Sequence, residues 1–250
     1  MPTFSDYNRY GEEIERVLKL KTSPIAVKML ERESDIPEGA LRPKKDKGYH
    51  LAQCQAFAMS RRQGATVAML KEDHWCWAPL MAYGLVEDPH DSFVDAVSSF
   101  PRFEYGKYIG MVTAPLKTAK FEPDAVLIYS TPAQLRDLLM ITKFQEKANI
   151  KSEFDPIDSC AYSTVPAIKD DQYRITIPDP GEYARAFAAD DEIILSIPKS
   201  KLEGFVEGLK RMTRTRQNQD EWANVIMRPD FPRPDFYKAL FKKWGLDTED

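Results

Sequence analysis

The sequence predicts an α+β fold, with a mixed sheet and helices packed on it. Short apolar runs rich in β-branched residues alternate with segments whose apolar residues recur at helical spacing, and proline or glycine separates them. At 250 residues, with 43% hydrophobic and 30% charged residues, the chain can bury a core without disulfides. We therefore expect one continuous domain over residues 1–250, in which residues 228–250 form a C-terminal extension.

The first part of the chain alternates helix and strand. Ser5 is a suitable N-cap for an opening helix, and Gly64 is a natural stop for a later one. Asp73 is placed to cap a further helix that carries Cys76. The expected elements are a helix over 5–20, a strand over 23–30, an exposed loop over 31–48, a helix over 49–63 and a strand over 65–70.

Strands dominate the later part of the chain, and we expect them over 107–116, 124–130, 173–178 and 191–198, with helices over 131–145 and 200–214. Asp124 and Leu135 are matched 67 positions later by Asp191 and Leu202 (124 to 191, 135 to 202). This match suggests two β-β-α units that share one sheet. The alternative is a chance similarity, since the prolines of the two units miss register by one position.

Residues 228–250 begin with prolines and then follow a helical pattern. Phe236, Leu240 and Trp244 recur at helical spacing, which predicts a terminal helix. Such a helix either packs on the core or binds a partner, and core packing is the simpler expectation.

Charge and hydropathy exclude several classes of partner. A formal charge of −4 and a pI near 5.6 give no electrostatic reason to bind a nucleic acid. The first residues are acidic and polar, unlike a signal peptide, and no run of about 18 apolar residues occurs. We therefore expect a cytoplasmic protein with no nucleic-acid or membrane partner.

The common catalytic fingerprints are missing from the sequence. It contains no G-x-S-x-G, G-x-x-x-x-G-K-[ST], G-x-G-x-x-G or H-E-x-x-H motif. These motifs mark many hydrolases, P-loop proteins, dinucleotide-binding domains and zinc proteases. Whether the protein is an enzyme stays open.

Three cysteines and two histidines are the candidates for metal chemistry. Thiolates bind zinc and iron–sulfur clusters, and histidine can share such a site. The odd number of cysteines argues against a disulfide framework, and no C-x-x-C pair or compact ferredoxin run occurs. By spacing alone, buried thiols are the more frequent explanation. The candidates are Cys54, Cys76, Cys160, His50 and His74.

Each of the two candidate histidines has a cysteine nearby. His50 and Cys54 are four residues apart, which would place them on one face of a helix. His74 and Cys76 flank Trp75, so both side chains would point the same way in an extended turn. These spacings make both histidines candidates for a shared site.

A second candidate site lies within residues 98–110. Arg102 and Lys107 occur there among aromatic residues that include Tyr105. Cations among aromatic rings can hold an anionic or planar ligand through ion pairs and cation–π contacts. They can equally be snorkelling side chains beside rings of the core.

Six blocks of the sequence are distinctive: LKTSPIAVKML, HLAQCQAFAMSRRQGATVAMLKEDHWCW, FPRFEYGKYIGMVTAPL, FEPDAVLIYSTPAQLRDLL, DSCAYSTVPAI and DDEIILSIPKSKLEGFVEGLK. Together they resemble the DUF169 family of bacterial and archaeal proteins, many of them from anaerobes. The resemblance covers residues 15–212, in order and without large gaps.

The resemblance implies that the three cysteines, each in a family block, ligate one shared centre. In a family typical of anaerobes, this favours a [4Fe–4S] cluster bound by Cys54, Cys76 and Cys160. One iron is then open to substrate, water or another ligand, for which His74 is the first candidate and His50 the weaker one. The cluster would have a redox or Lewis-acid role, with a small molecule or a redox protein as partner. The sequence also leaves open whether the protein forms a homo-oligomer.

Trp75 and Trp77 would form walls that exclude water from such a cluster. Two alternatives to the cluster remain open. In one, a non-enzymatic accessory protein binds a small ligand near residues 98–110, and the cysteines are buried structural residues. In the other, His50 or His74 binds haem, although no C-x-x-C-H motif supports it.

Overall fold

The computed structural model describes residues 2–87, 101–147, 149–216 and 235–245. The chain divides into two compact units, Met1–Lys210 and Arg211–Asp250, which are described separately. The first unit contains a six-stranded sheet together with helices. The predicted α+β class is confirmed.

The elements follow the apolar runs and breakers of the sequence. The described helices are α1 (Phe4–Leu18), α2 (Pro43–Lys47), α3 (Gln53–Gln63), α4 (Trp77–Ala82), α5 (Pro132–Glu146), α6 (Ser159–Lys169), α7 (Pro180–Ala186), α8 (Lys199–Arg216) and α9 (Asp235–Lys243). The strands are β1 (Ile25–Leu30), β2 (Val67–Leu70), β3 (Gly110–Pro115), β4 (Ala125–Ser130), β5 (Arg174–Thr176) and β6 (Ile193–Pro198). Proline occupies the first turn of α2, α5 and α7, where its missing N–H would have no helical partner.

The strands form one sheet in the order β2-β3-β1-β4-β6-β5. Every ladder between neighbouring strands is antiparallel. In the described chain, parallel pairing is limited to two isolated bridges, Leu41 with Val67 and Leu51 with His74. The expected mixed sheet is therefore corrected to an antiparallel one, because each strand runs opposite to the neighbours it pairs with.

The four later strands share this sheet, as predicted. β4 and β6 are neighbours, paired from Ala125↔Pro198 to Ser130↔Ile193. The two predicted β-β-α units nevertheless differ, since β1 lies between β3 and β4, whereas β5 and β6 pair directly. The short helix α7, which the sequence did not predict, also separates β5 from β6 along the chain. The likeness is therefore limited to the strand–helix pairs β4–α5 and β6–α8.

One face of the sheet carries the core cluster that borders the candidate site. Ile25, Val27 and Met29 alternate along β1 and are buried in this cluster. Helix α5 contacts β4 and β6. The members of the cluster from α3, α4 and α6 include Phe57, Ala78, Ala82, Ala161 and Val165.

A buried ion pair joins α3 to the beginning of β6. The guanidinium of Arg61 donates to both carboxylate oxygens of Glu192, at 2.7 and 3.0 Å. The same guanidinium lies 3.9 Å from the centroid of the Tyr129 ring. Because both charged side chains are almost fully buried, removing either one would leave an uncompensated charge inside the protein.

The second unit contains α9, a helix within the predicted C-terminal extension. Phe236 and Trp244 are exposed, and none of the residues of α9 is buried. In the described parts of the chain, no helix combines the length and the apolar character needed to cross a membrane.

Candidate functional site

The three cysteines, which are far apart in the sequence, come together around the buried side chain of Tyr83. Burial raises the pKa of Tyr83 well above its ordinary value, and ionisation of Cys160, Cys54 or Cys76 would raise it further. Burial also raises the pKa of Cys160, with contributions from Cys54 and Cys76. Cys76 packs against both of the core clusters that contain the other two cysteines. The fold thus brings the three sulfur atoms into one region.

Each cysteine lies at the beginning of a helix. Cys54 and Cys160 are the second residues of α3 and α6, and Cys76 is the N-cap of α4. The N-terminus of a helix carries a partial positive charge, which favours thiolates and anionic groups. Asp73 does not cap this helix as expected, because its backbone belongs to a short 3-10 turn that ends before His74.

Asp73 instead fixes the segment that leads to Cys76. Its carboxylate accepts hydrogen bonds from the backbone N–H groups of Leu70 and Lys44, at 2.9 and 2.8 Å, and from Arg42 Nε at 3.0 Å. Such a buried carboxylate with three donors holds one backbone conformation.

A backbone bridge aligns the segments that precede Cys54 and Cys76. Leu51 N–H donates to the carbonyl of Asp73 at 2.9 Å, and Trp75 N–H donates to the carbonyl of Leu51 at 2.8 Å. The chain segments that lead into α3 and α4 therefore lie side by side. This explains why the thiols of two helices that are separated in sequence lie in the same region.

The thiols of Cys54 and Cys160 are neutral in this environment. Burial raises the pKa of Cys54 to about 12, and the nearby charges of Glu182 and Asp179 act in the same direction. Its Sγ donates a weak hydrogen bond to the carbonyl of Gly181 at 3.9 Å. Loss of these protons requires a compensating cation, as occurs when a metal centre binds.

His74 is a buried histidine with unused hydrogen-bonding capacity. It is 7% exposed, and neither ring nitrogen has a hydrogen-bond partner among the described residues. Burial lowers its pKa to about 4, so the imidazole is neutral. The ring meets Tyr83 edge-on, with centroids 6.4 Å apart. His74 and Cys76 both have extended backbone, with the exposed Trp75 between them, so the expected alternation of side chains is present.

The two tryptophans lie at the surface rather than around the thiols. Trp75 is 63% exposed and Trp77 is 50% exposed. The guanidinium of Arg185 lies 5.1 Å from the centre of the Trp75 ring, and the same side chain lowers the pKa of Cys54 against the effect of burial. Arg185 therefore lies between the exposed Trp75 ring and the buried Cys54 thiol.

His50 lies outside this group. The helix begins only at Gln53, so His50 does not share a helical face with Cys54. Its side chain is exposed. The prediction that the two residues lie on one helix face is therefore wrong.

The second candidate site, within residues 98–110, packs its described aromatic rings on the core and leaves its polar groups at the surface. Phe103 meets Tyr108 edge-on at 5.0 Å, and both rings contact the core cluster that contains Cys160. Lys107 is exposed, with its ammonium 5.1 Å from the Tyr108 ring. Tyr105 is 57% exposed. This arrangement is the one expected of snorkelling side chains.

Arg102 is half-buried, and its carbonyl accepts a hydrogen bond from Lys169 at 3.3 Å. Phe100 lies outside the described residues.

A buried acid network beside the thiols was not predicted from the sequence. Ser159 Oγ lies 2.8 Å from Asp179 Oδ2 and 2.7 Å from Glu182 Oε1, and Tyr129 OH lies 2.9 Å from Glu182 Oε2. The one sequence signal was the D-x-x-E pattern at 179–182 with proline second, which is typical of a helix start.

The described side chains do not form a ready site for one metal ion: no group of three or more His, Cys, Asp or Glu residues among them could hold it as they stand. A single ion would need sulfur atoms within about 4 Å of one another, given bonds of about 2.3 Å. A cubane cluster separates its cysteine sulfurs more widely, on the order of 6–7 Å.

A family model matches residues 13–208, and its description is DUF169, uncharacterised ArCR. The chain belongs to the DUF169 family. The match contains all three cysteines, Asp179 and Glu182, so the whole candidate site lies within the DUF169 region. No curated protein and no solved structure matches the chain.

Proposed function

We propose that the protein binds an iron–sulfur cluster of the [4Fe–4S] type through Cys54, Cys76 and Cys160, and that the cluster has a redox or Lewis-acid role. The observation that carries the proposal is that Cys76 packs against both the core cluster of Tyr83 and Cys160 and the core cluster of Cys54. The helix starts that carry them favour the negative charge of a thiolate-bound cluster.

The residues present suit such a cluster. Three thiols are the soft ligands that iron–sulfur clusters use, and the neutral His74 supplies a nitrogen donor beside them. We propose His74 as the fourth ligand or as a hydrogen-bond donor to the cluster. An open position at the fourth iron would instead admit a small molecule, and the half-buried Cys76 is at the side from which it would enter.

Iron and sulfide analysis of the full chain, purified or reconstituted without oxygen, tests the proposal. We expect about four iron and four sulfide per chain and a brown protein with a broad visible absorption band. Cys54→Ser, Cys76→Ser and Cys160→Ser should each remove most of the iron.

The matched control is Ser163→Ala, a small change on the same helix as Cys160. Ser163 is buried and donates to the Cys160 carbonyl at 3.3 Å, but it offers no thiol. It should keep the iron content of the natural chain. A colourless natural chain, or serine variants that keep all of their iron, would exclude the cluster.

The second candidate function is a small-ligand-binding accessory protein with structural cysteines. The observation that favours it is the burial of Cys54 and Cys160, whose thiols stay protonated. In that case the protein is colourless, and each cysteine-to-serine change lowers stability without any effect on iron. A haem protein would depend on His74, because His50 is exposed; haem added to the apoprotein would then give a sharp absorption band that His74→Leu removes.

A further inference from the structure

The acid network beside the cysteines has too few hydrogen atoms for two carboxylates. Ser159 Oγ is within hydrogen-bond distance of both Asp179, at 2.8 Å, and Glu182, at 2.7 Å. A hydroxyl group carries only one hydrogen, so it can donate to one of the two. With both carboxylates ionised, the other contact would place lone pairs against lone pairs at 2.7 Å. A second hydrogen is therefore needed.

Hydrogen-bond geometry assigns that second hydrogen to Glu182. Asp179 already accepts from the backbone N–H groups of Ser159, at 3.1 Å, and Glu182, at 2.9 Å, as well as from the serine hydroxyl. Both oxygens of Asp179 are therefore in use as acceptors. The described hydrogen-bond partners of the Glu182 carboxyl are two hydroxyl groups: Tyr129 OH lies 2.9 Å from Oε2 and 3.1 Å from Oε1, and Ser159 Oγ lies 2.7 Å from Oε1. A proton on Oε1 can therefore be donated to Ser159 Oγ.

We infer that Asp179 and Glu182 hold one proton between them through Ser159, and that this proton couples to the charge of a redox centre at the three cysteines. The second half of the inference rests on the proposed function, whereas the first half does not. Burial raises the pKa of Glu182 to about 7, and the charge of Asp179 acts in the same direction. The proton is thus exchangeable near neutral pH.

The surroundings of Glu182 connect it to the thiols. The pKa values of Cys54 and Cys160 are both raised by burial and, in addition, by the charges of Asp179 and Glu182. The charge of Arg61, whose guanidinium donates to Glu192, acts in the opposite direction and lowers the pKa of Glu182. The charged or titratable groups that face Glu182 are Asp179 on its own helix, Tyr129 on β4, Arg61 and Cys54 on α3, and Cys160 on α6.

In the coupled step, the gain of one electron is balanced by the gain of one proton. If a one-electron centre bound there were reduced by an external one-electron donor such as dithionite, the ionised Glu182 would accept one proton from solvent, forming one O–H bond. The net charge of the site is unchanged, so the low-dielectric interior avoids an additional negative charge. Reoxidation by an external one-electron acceptor would remove the electron, and Glu182 would return its proton to solvent.

Infrared spectroscopy of the metal-free full chain tests the shared proton. At pH 6, below the pKa of about 7, we expect the carbonyl band of a protonated buried carboxyl that shifts in heavy water. Glu182→Gln should weaken this band and keep the fold, because the amide can replace the acid in both hydrogen bonds. The control, Glu122→Gln, alters a carboxylate paired with Lys199 at 2.7 Å and should keep the band. Asp158, whose pKa burial raises to about 6, adds a band of its own at this pH, so the intensity of the band is compared between variants. No band in the natural chain, or a band undiminished in Glu182→Gln, would overturn the shared proton.

Redox titration of the iron-loaded chain, with dithionite as reductant and dye mediators, tests the coupling. Each tenfold fall in proton concentration near neutral pH should lower the midpoint potential by up to about 59 mV, the one-electron value. Glu182→Gln should remove that slope, and Glu122→Gln should keep it. Equal slopes in the natural chain and Glu182→Gln would overturn the coupling. A natural chain that binds no iron would defeat the proposed function and leave the infrared result to decide the shared proton.

Discussion

Among single residues, His74 shows the least expected chemistry. A buried polar group without a partner costs on the order of 1–3 kcal/mol, so a stable fold seldom keeps one without a use. We predict that His74→Leu leaves the metal-free protein as stable as before, or more stable by about 1 kcal/mol, since unpaired nitrogens are removed. Urea denaturation without oxygen measures this change.

The same substitution should change the loaded protein. If His74 ligates or hydrogen-bonds the cluster, His74→Leu alters its electron paramagnetic resonance spectrum, whereas His50→Leu, at an exposed site, does not. Identical spectra from all three proteins would show that His74 has no role at the cluster.

Glu192 provides a residue-scale prediction about pH. Burial alone would raise its pKa, but hydrogen bonds from Arg61 and the Ala189 amide outweigh burial and lower it. The pair therefore stabilises the fold fully above the ordinary value of 4.5, and this stabilisation is lost as the pH falls below it. Glu192→Gln should cost about 3–5 kcal/mol at neutral pH, because Arg61 is left buried and unpaired.

The measurement is urea denaturation at neutral and acidic pH, compared with Glu38→Gln. Glu38 is exposed, so its change should alter the free energy of unfolding by less than about 0.5 kcal/mol. The difference in the free energy of unfolding between the natural chain and Glu192→Gln should become smaller at acidic pH. A difference that stays constant with pH would contradict the assigned ion pair.

At the scale of elements, α1 lies very close to the chain after β3. This packing predicts that alanine in place of a glycine of α1 lowers stability, whereas helix propensity alone predicts the opposite. A Cβ on Gly11 would lie 2.6 Å from the backbone nitrogen of Lys117, which cannot move aside easily. In an exposed helix, glycine to alanine stabilises by about 1 kcal/mol. Here Gly11→Ala should destabilise by about 1–3 kcal/mol through overpacking.

Gly204→Ala on α8 is the matched control. Its added Cβ would meet only the end of the flexible Gln145 side chain, at 3.2 Å. This variant should therefore be neutral or slightly stabilised in thermal denaturation. Equal effects of the two substitutions would refute the tight packing of α1.

The elements that carry the site were only partly predictable. Helix α3 and the strands β4 and β6 follow from local apolar patterns and stop signals, which act over a few residues. The start of α4 was misplaced because Asp73 is a good cap in isolation, but its carboxylate is used by Arg42 and two backbone amides. Helix α7 is only seven residues long and was missed.

For the whole molecule, the convergence of the cysteines was suggested by the family resemblance, because no spacing rule joins three thiols on separate helices. The acid network could not be predicted in the same way. Tyr129, Ser159 and Glu182 come from a strand and two helices, and only the packing of α6 and α7 beside the sheet brings their oxygen atoms within 3 Å. Tertiary contacts of this kind leave no local pattern.

Removal of residues 217–250 tests whether the C-terminal part is needed for the site. The compact unit Met1–Lys210 contains the three cysteines and the residues matched by the family model. A chain that ends at Arg216, the last residue of α8, should therefore fold and bind the same amount of iron as the full chain. Circular dichroism and iron analysis measure both properties, and a folded but iron-free product would show that the second unit contributes to the site.

The central claim is that Cys54, Cys76 and Cys160 share one cluster. Anomalous X-ray scattering at the iron edge, from crystals grown without oxygen, tests it most directly. We predict one compact iron peak within bonding distance of all three sulfur atoms, next to Tyr83. Iron bound elsewhere, or no iron in crystals of a reconstituted protein, would contradict the claim.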